Sequence, residues 1–310
     1  MVARAPERSQ GWHPQGGRSP GWGRGTGRSW RTQQGNGKAA APPSSTTGVD
    51  YAHPPALDGT AASAQPSASP RVAVVTGGSR GIGRRTVGRL AADGYAVVVG
   101  YAGHRDEAEA AVKEAVTAGG RAVVVRADVA DEHAVAALFD AAEAEFGGVD
   151  VVVHAAGRMH LAPVAELDLA ILDDLHRTNV RGTFVVVQQA ARRVRAGGAI
   201  VTFSTSVVGL AFPGYGAYAA GKGAVEALTL ILARELRGRD VTANAVAPGP
   251  TATDLFLHGK DEETVARLAA QPPLERLGTP ADIAEVVAFL ASPAGHWING
   301  QVVRANGGII

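Results

Sequence analysis

Val72-Ala73-Val74-Val75-Thr76-Gly77-Gly78-Ser79-Arg80-Gly81-Ile82-Gly83 is the stretch on which the fold turns. Its first five residues are apolar or β-branched and predict a short buried strand, Val72–Thr76. Gly77, Gly81 and Gly83 follow at once. Glycine lets a backbone turn tightly and come close to a pyrophosphate, whose charge is favoured at a helix N-terminus. The spacing is Gly-x-x-x-Gly-x-Gly, not the commoner Gly-x-Gly-x-x-Gly. In a chain with 40 glycines, three near one another carry little alone. Their place between a strand and a helix running to Asp93 gives them meaning.

Outward from this unit the pattern alternates. Further strands are expected at Ala96–Tyr101, Ala122–Arg126, Val149–Val153, Ala199–Ser204, Thr242–Val246 and Gln301–Ala305. Helices are expected at Arg105–Ala118, Asp131–Phe146, Asp168–Arg195, around Tyr218 to Arg237, at Asp261–Ala269 and at Ala281–Ala291. Near-continuous Val, Ile and Ala strands between helices indicate a parallel sheet covered on both faces. The expected class is α/β, a Rossmann-type doubly wound parallel sheet forming a single domain over residues 71–310. Ligands of such a sheet gather at the carboxyl ends of its strands.

Residues 1–70 read differently. Gly, Pro, Ser and Arg dominate, with no apolar periodicity. Such a segment buries too little surface to offset its chain entropy, so a disordered low-complexity extension is expected. Its arginines with Trp12, Trp22 and Trp30 also suit a nucleic-acid tail. The abrupt change in composition near Arg71 favours a disordered leader, or translated sequence upstream of the true start.

The whole chain has 310 residues, a formal net charge of +1 and no cysteine. Near-neutral charge gives no pull towards nucleic acid or acidic membrane surfaces. Without cysteine there is no disulfide, thiol nucleophile or zinc-thiolate site. No apolar run reaches the ~18 residues of a membrane helix, and no signal-peptide pattern opens the chain. A cytoplasmic location is expected. Nine histidines without a ligand-spaced cluster argue against a metal site.

Chemistry concentrates at Tyr218-Ala219-Ala220-Gly221-Lys222. Tyrosine and lysine at i and i+4 share one helix face. A neighbouring ammonium favours the phenolate, so the spacing predicts a tyrosine pKa drawn down towards neutrality. For a dinucleotide held at the glycine turn, the charge at the end of the second strand reads which one. An acid at the end of the second strand binds ribose hydroxyls in NAD sites; here Tyr101 and Ala102 stand there, with no carboxylate before Asp106. Arg80, with Arg105 nearby, suits a 2′-phosphate instead, and NADP(H) is expected.

From Arg71 to its end the chain resembles the short-chain dehydrogenase/reductase family, in particular its 3-oxoacyl-[acyl-carrier-protein] reductase-like members. Thr76–Gly83 is similar to the family's cofactor loop, through Gly77, Ser79, Arg80, Gly81, Ile82 and Gly83. Asp128-Val129 resembles its adenine-contacting pair. His154-Ala155-Ala156-Gly157 stands where Asn-Asn-Ala-Gly is usual, so Ala156 and Gly157 carry the match. Asn179 matches the helix asparagine, Tyr218 and Lys222 the catalytic pair, and Pro248, Gly249, Thr251 and Thr253 the Pro-Gly segment.

The resemblance implies hydride transfer to a carbonyl carbon, with Tyr218 giving the proton, Lys222 holding the ribose and Asn179 anchoring a relay water. It also implies a hydroxyl at the end of the fifth strand. Thr205 lies 13 residues before Tyr218, the family's usual interval, whereas the Ser-Val-Val-Gly match favours Ser206. Both stay open. The substrate implied is a small carbonyl compound, including 3-oxoacyl thioesters; the reverse reaction on a secondary alcohol or sugar, and a non-catalytic NADP-binding regulator, are the alternatives. A homotetramer is implied. Residues from Thr251 to Ala270 read as a lid, with Phe212, Pro213 and Tyr215 as the opposite wall. Arg192, Arg193, Arg195, Arg237 and Arg239 form a basic group that an acidic acyl carrier protein would meet, or a solvated helix end.

Overall fold

The computed structural model describes residues 70–310. Apart from Pro70, the N-terminal extension read from the sequence lies outside the described residues. β1 (Val72–Thr76) leads through the glycine turn into α1 (Gly81–Ala92), then β2 (Ala96–Tyr101), α2 (Arg105–Thr117), β3 (Arg121–Arg126) and α3 (Glu132–Phe146). β4 (Val149–His154), α4 (Leu169–His176), α5 (Gly182–Arg193) and β5 (Val194–Phe203) follow. The last part comprises α6 (Val207–Leu210), α7 (Gly216–Glu235), β6 (Val241–Pro248), α8 (Asp254–Leu257), α9 (Glu262–Ala269), α10 (Pro280–Ala291) and β7 (Val302–Ala305).

All seven strands are parallel in one sheet, in the order β3-β2-β1-β4-β5-β6-β7. The order reverses between β1 and β4, and a crevice opens there at the carboxyl ends. The doubly wound expectation holds. Alternate residues of each strand feed opposite cores, as a two-residue period requires. Val72 and Val74 pack with Leu138, Phe139, Val186 and Leu232 on one face. Ala73 and Val75 pack with Leu90, Ile283, Val287 and Leu290 on the other. Among the described residues no helix is long and apolar enough to cross a membrane.

Two departures from expectation are the largest. The single helix expected over Asp168–Arg195 is two helices, α4 and α5, joined by a π-turn at Arg177–Arg181. Thr183 Oγ1 donates to the Asn179 carbonyl there at 2.7 Å, and the wider turn keeps the helical pattern that the sequence shows. β5 begins at Val194, five residues before the expected Ala199. Its register on β4 jumps from Val149↔Val194 to Val151↔Ala199. Asp150 accepts two bonds from the Arg195 guanidinium beside this irregularity. Such a break cannot be read from alternation.

Candidate active site

The glycine turn is built for close approach. Gly77 has φ +67°, and a Cβ there would stand 2.7 Å from the Ala156 backbone nitrogen. A Cβ on Gly83 would lie 2.2 Å from the Gly77 carbonyl oxygen. α1 starts directly after the turn, and the side chain of its N-cap residue, Arg80, makes no capping bond. By contrast Asp131 caps α3 and Thr279 caps α10. Free first-turn amides at a helix with no room for side chains suit a pyrophosphate. The Thr253 side chain lies 3.4 Å from where a Cβ on Gly81 would stand, so the Pro248–Thr253 segment closes the turn from the other side.

At the adenosine end, Tyr101 is buried at the tip of β2 and the Ala102 carbonyl accepts from Arg126 Nε at 3.2 Å. Arg80 Nε is 3.3 Å from Glu107, and Arg105 is bonded to Glu109 at 2.7 Å. Arg105 therefore turns onto its own helix. Asp128 accepts from Ala130 N and from Arg177 Nη1 at 3.0 and 2.9 Å. Partial burial pushes its carboxyl up, but these two bonds outweigh burial and hold it below the usual range. Val129 is buried beneath Gly182. Glu107 and Arg177, partners of two expected contacts, carried no signal in the sequence beyond their charge.

α7 presents Tyr218 and Lys222 one turn apart, both buried. Lys222 Nζ donates to the Phe203 carbonyl at 2.7 Å, which ties the helix to the last residue of β5. Glu226, one turn further on, accepts from Ser204 Oγ at 2.6 Å. Burial pushes the Tyr218 phenol up to about 12, with Thr205 acting the other way, and pushes Lys222 down to about 8. The expected depression of the phenol by its neighbour is therefore reversed. Both groups are withdrawn from water, and the ammonium stands 5.9 Å from the ring centroid, engaged with a carbonyl. Desolvation outweighs the pair interaction.

The three hydroxyls after β5 go separate ways. Ser204 faces Glu226. Ser206 Oγ donates to the Ala247 carbonyl at 3.2 Å and accepts from Asn306 Nδ2 at 2.9 Å. Thr205 Oγ1 accepts from Val207 N at 3.3 Å and lies near enough to the Tyr218 phenol to favour its charged form. Asn179 sits in the π-turn, where its carboxamide accepts from Arg158 N at 2.9 Å and donates to Arg158 O at 2.8 Å. Both bonds tie its side chain to the Arg158 backbone. Gly157 lies beside both Asn179 Oδ1 and Lys222 Nζ.

Ile82, Ala155, Gly157, Thr205, Ser206, Tyr218, Lys222 and Pro248 to Thr251, with Thr253, converge on one cavity of about 130 Å³. Its outer wall is apolar: Met159, Leu210, Phe212, Tyr215, Leu255, Phe256 and Leu268. Pro213, expected there, does not line it. Lys222 is its only charged side chain among the described residues. The five arginines stand at the opposite, amino-terminal edge of the sheet, where Arg193 bonds Asp140, Arg195 bonds Asp150 and Arg239 bonds the carbonyls of Ala191 and Val194. Among the described residues no group of three or more acids, histidines or cysteines is placed to hold a metal ion.

Known proteins share this arrangement. The family profile described as Enoyl-(Acyl carrier protein) reductase matches residues 77–310. A short-chain type dehydrogenase/reductase of Picea abies is 46% identical over 248 residues, covering 77% of this chain and 92% of that protein. NADPH-dependent aldehyde reductase 2, chloroplastic, of Arabidopsis thaliana is 42% identical over 255 residues, covering 77% and 94%. The crystal structure of a short chain dehydrogenase from Burkholderia cenocepacia J2315 in complex with NADP superposes with a TM-score of 0.73 at 36% identity, covering 77% of this chain and 97% of the other. With the sheet order, the glycine turn and the tyrosine–lysine helix already in place, these matches leave one assignment: the chain belongs to the short-chain dehydrogenase/reductase family.

Proposed function

We propose that this protein is an NADPH-dependent carbonyl reductase acting on uncharged, largely apolar ketones or aldehydes. The observation that carries the reading is the meeting of Thr205, Tyr218 and Lys222 on one wall of a cavity reached from the glycine turn. When bound, the reduced nicotinamide supplies the hydride. Thr205 holds the substrate oxygen, and Tyr218 passes it a proton as the carbonyl becomes an alcohol. A phenol held at about 12 keeps its proton at neutral pH, which suits a donor in reduction better than an acceptor in alcohol oxidation. Lys222, at about 8, exchanges protons near neutrality and can restore the phenol. Asn179 serves by fixing the Gly157–Arg158 backbone beside Lys222.

NADP(H) is the cofactor this reading assigns. The lack of an acid at Tyr101–Ala102, the guanidinium of Arg80 beside the glycine turn, and the NADPH and NADP in the names of the Arabidopsis and Burkholderia relatives support it. An acyl thioester is the second substrate reading, supported by the description of the matching family profile. Docking of a carrier through the arginine group is not part of it, because Arg193, Arg195 and Arg239 are already paired to Asp140, Asp150 and backbone carbonyls. NADPH consumption against 3-oxoacyl thioesters, quinones, ketosteroids, simple ketones and aldehydes tests the assignment. Turnover should be faster with NADPH than NADH; a preference for NADH would sink the cofactor assignment. No turnover at all would leave an NADP-binding regulator.

Thr205→Ala should lower kcat about 100-fold, while Ser206→Ala, which removes a hydroxyl already paired to Ala247 and Asn306, should change it less than about threefold. The reverse order would return the role to Ser206. We also assign a homotetramer. Phe184 on α5 is 52% exposed, as is Ile231 on α7, and such apolar positions on paired helices suit burial between copies. Light scattering on the purified chain should give four times the chain mass; a monomer would refute it.

A further inference from the structure

His154 ends β4, and the cavity chemistry described above does not use it. Its side chain is 2% exposed. Nδ1 is 2.8 Å from Thr76 Oγ1, and Nε2 is 3.1 Å from Thr183 Oγ1. Thr76 and Thr183 are equally buried. The proton positions follow from the far end of this chain. Thr183 Oγ1 donates to the Asn179 carbonyl at 2.7 Å. A hydroxyl has one proton, so towards His154 Thr183 must accept. Nε2 therefore carries the hydrogen, Nδ1 is bare, and Thr76 donates to it. Each bond points the same way, from Thr76 through His154 and Thr183 to Asn179.

The two ends of the chain are functional. Thr76 is the residue before Gly77, whose turn packs against Ala156. Asn179 holds Arg158 by both backbone groups, next to Lys222. A protonated imidazole would be a donor at both nitrogens and would face the proton of Thr76. Burial, and the nearby Lys222 charge, push this histidine down to about 3 and keep it neutral.

We propose that His154 is a positioning residue, a neutral Nε2–H imidazole that couples the glycine turn to the π-turn carrying Asn179. It acts through Thr76 on cofactor binding and through Thr183 and Asn179 on the alignment of the Gly157–Lys222 region. The kinetic half rests on the carbonyl-reductase reading; the binding and tautomer halves do not. The two arms are separable by substitution. In His154→Asn the side-chain oxygen falls near Nδ1, keeping the Thr76 bond, but the side chain is too short for Thr183. In His154→Gln the amide nitrogen reaches the Nε2 position, keeping the Thr183 bond and abandoning Thr76.

Calorimetric titration with NADPH and steady-state kinetics on the full chain read the two arms. H154N should bind NADPH within about twofold of the parent and lose about tenfold in kcat; H154Q should keep kcat within about threefold and bind NADPH about fivefold more weakly. Equal losses in both quantities for both variants would reduce His154 to a packing residue and overturn the proposal, as would no change in either. Solid-state NMR of ¹⁵N-histidine protein, with H154N as the subtraction, should show a neutral Nε2–H ring from about pH 5 to 9. An Nδ1–H or cationic ring would overturn the coupling. If no carbonyl substrate is turned over, the NMR and NADPH titrations still decide it.

Discussion

Tyr218→Phe is expected to lower kcat about 1,000-fold, or about 4 kcal/mol of barrier, and to leave NADPH binding within about threefold. The phenylalanine ring refills the buried site left by the tyrosine, so packing on α7 and the Lys222 bond to Phe203 survive. What is lost is the phenolic proton at the cavity wall beside Thr205. Stopped-flow or steady-state reduction of a substrate found in the panel, with a parallel NADPH titration, gives both quantities. A variant retaining more than about a tenth of parental kcat would show that the phenol is not the donor and would point to Lys222 or water. Loss of NADPH binding along with kcat would mean instead that the substitution disturbed the fold of the helix start.

Gly83→Ala is expected to abolish measurable NADPH binding, weakening it at least about 100-fold, and to cost about 2 kcal/mol of stability. For a domain of this size that corresponds to a drop in Tm of about 4–8 °C. The added Cβ would stand 2.2 Å from the Gly77 carbonyl oxygen and 3.2 Å from Gly78 Cα. Both are backbone atoms, so no rotamer change relieves the overlap. The turn must open, and the amides at the start of α1 leave the positions that a pyrophosphate needs. Gly88, five residues along the same helix, supplies the control. It is exposed with nothing within 4 Å of a Cβ, so Gly88→Ala should stabilise by up to about 1 kcal/mol and leave binding intact. Similar NADPH affinity in Gly83→Ala and parent would dismiss the turn as the phosphate cradle.

The strand-glycine-helix opening was legible because its information is local. Five buried residues in a row, then glycines at a turn, leave few alternatives. The same holds for β2 and β4, whose apolar runs are bounded by polar or glycine residues. The π-turn at Arg177–Arg181 was not legible, since one extra residue per turn leaves helical periodicity nearly intact. α6 and α8, four residues each, are too short to show a period.

By itself the sequence determined the doubly wound sheet, the phosphate turn and the presence of a tyrosine and lysine on one helix face, because each rests on neighbours in the chain. Only the tertiary structure decided how those groups behave. Ser204, Thr205 and Ser206 are equivalent as letters; they separate because α7 claims the first, β6 and Asn306 claim the third, and the second is left beside the phenol. The tyrosine–lysine spacing predicted a depressed phenol, yet burial raised it. Spacing along a helix sets which charges are near; the depth at which the helix is packed sets whether water can pay for them.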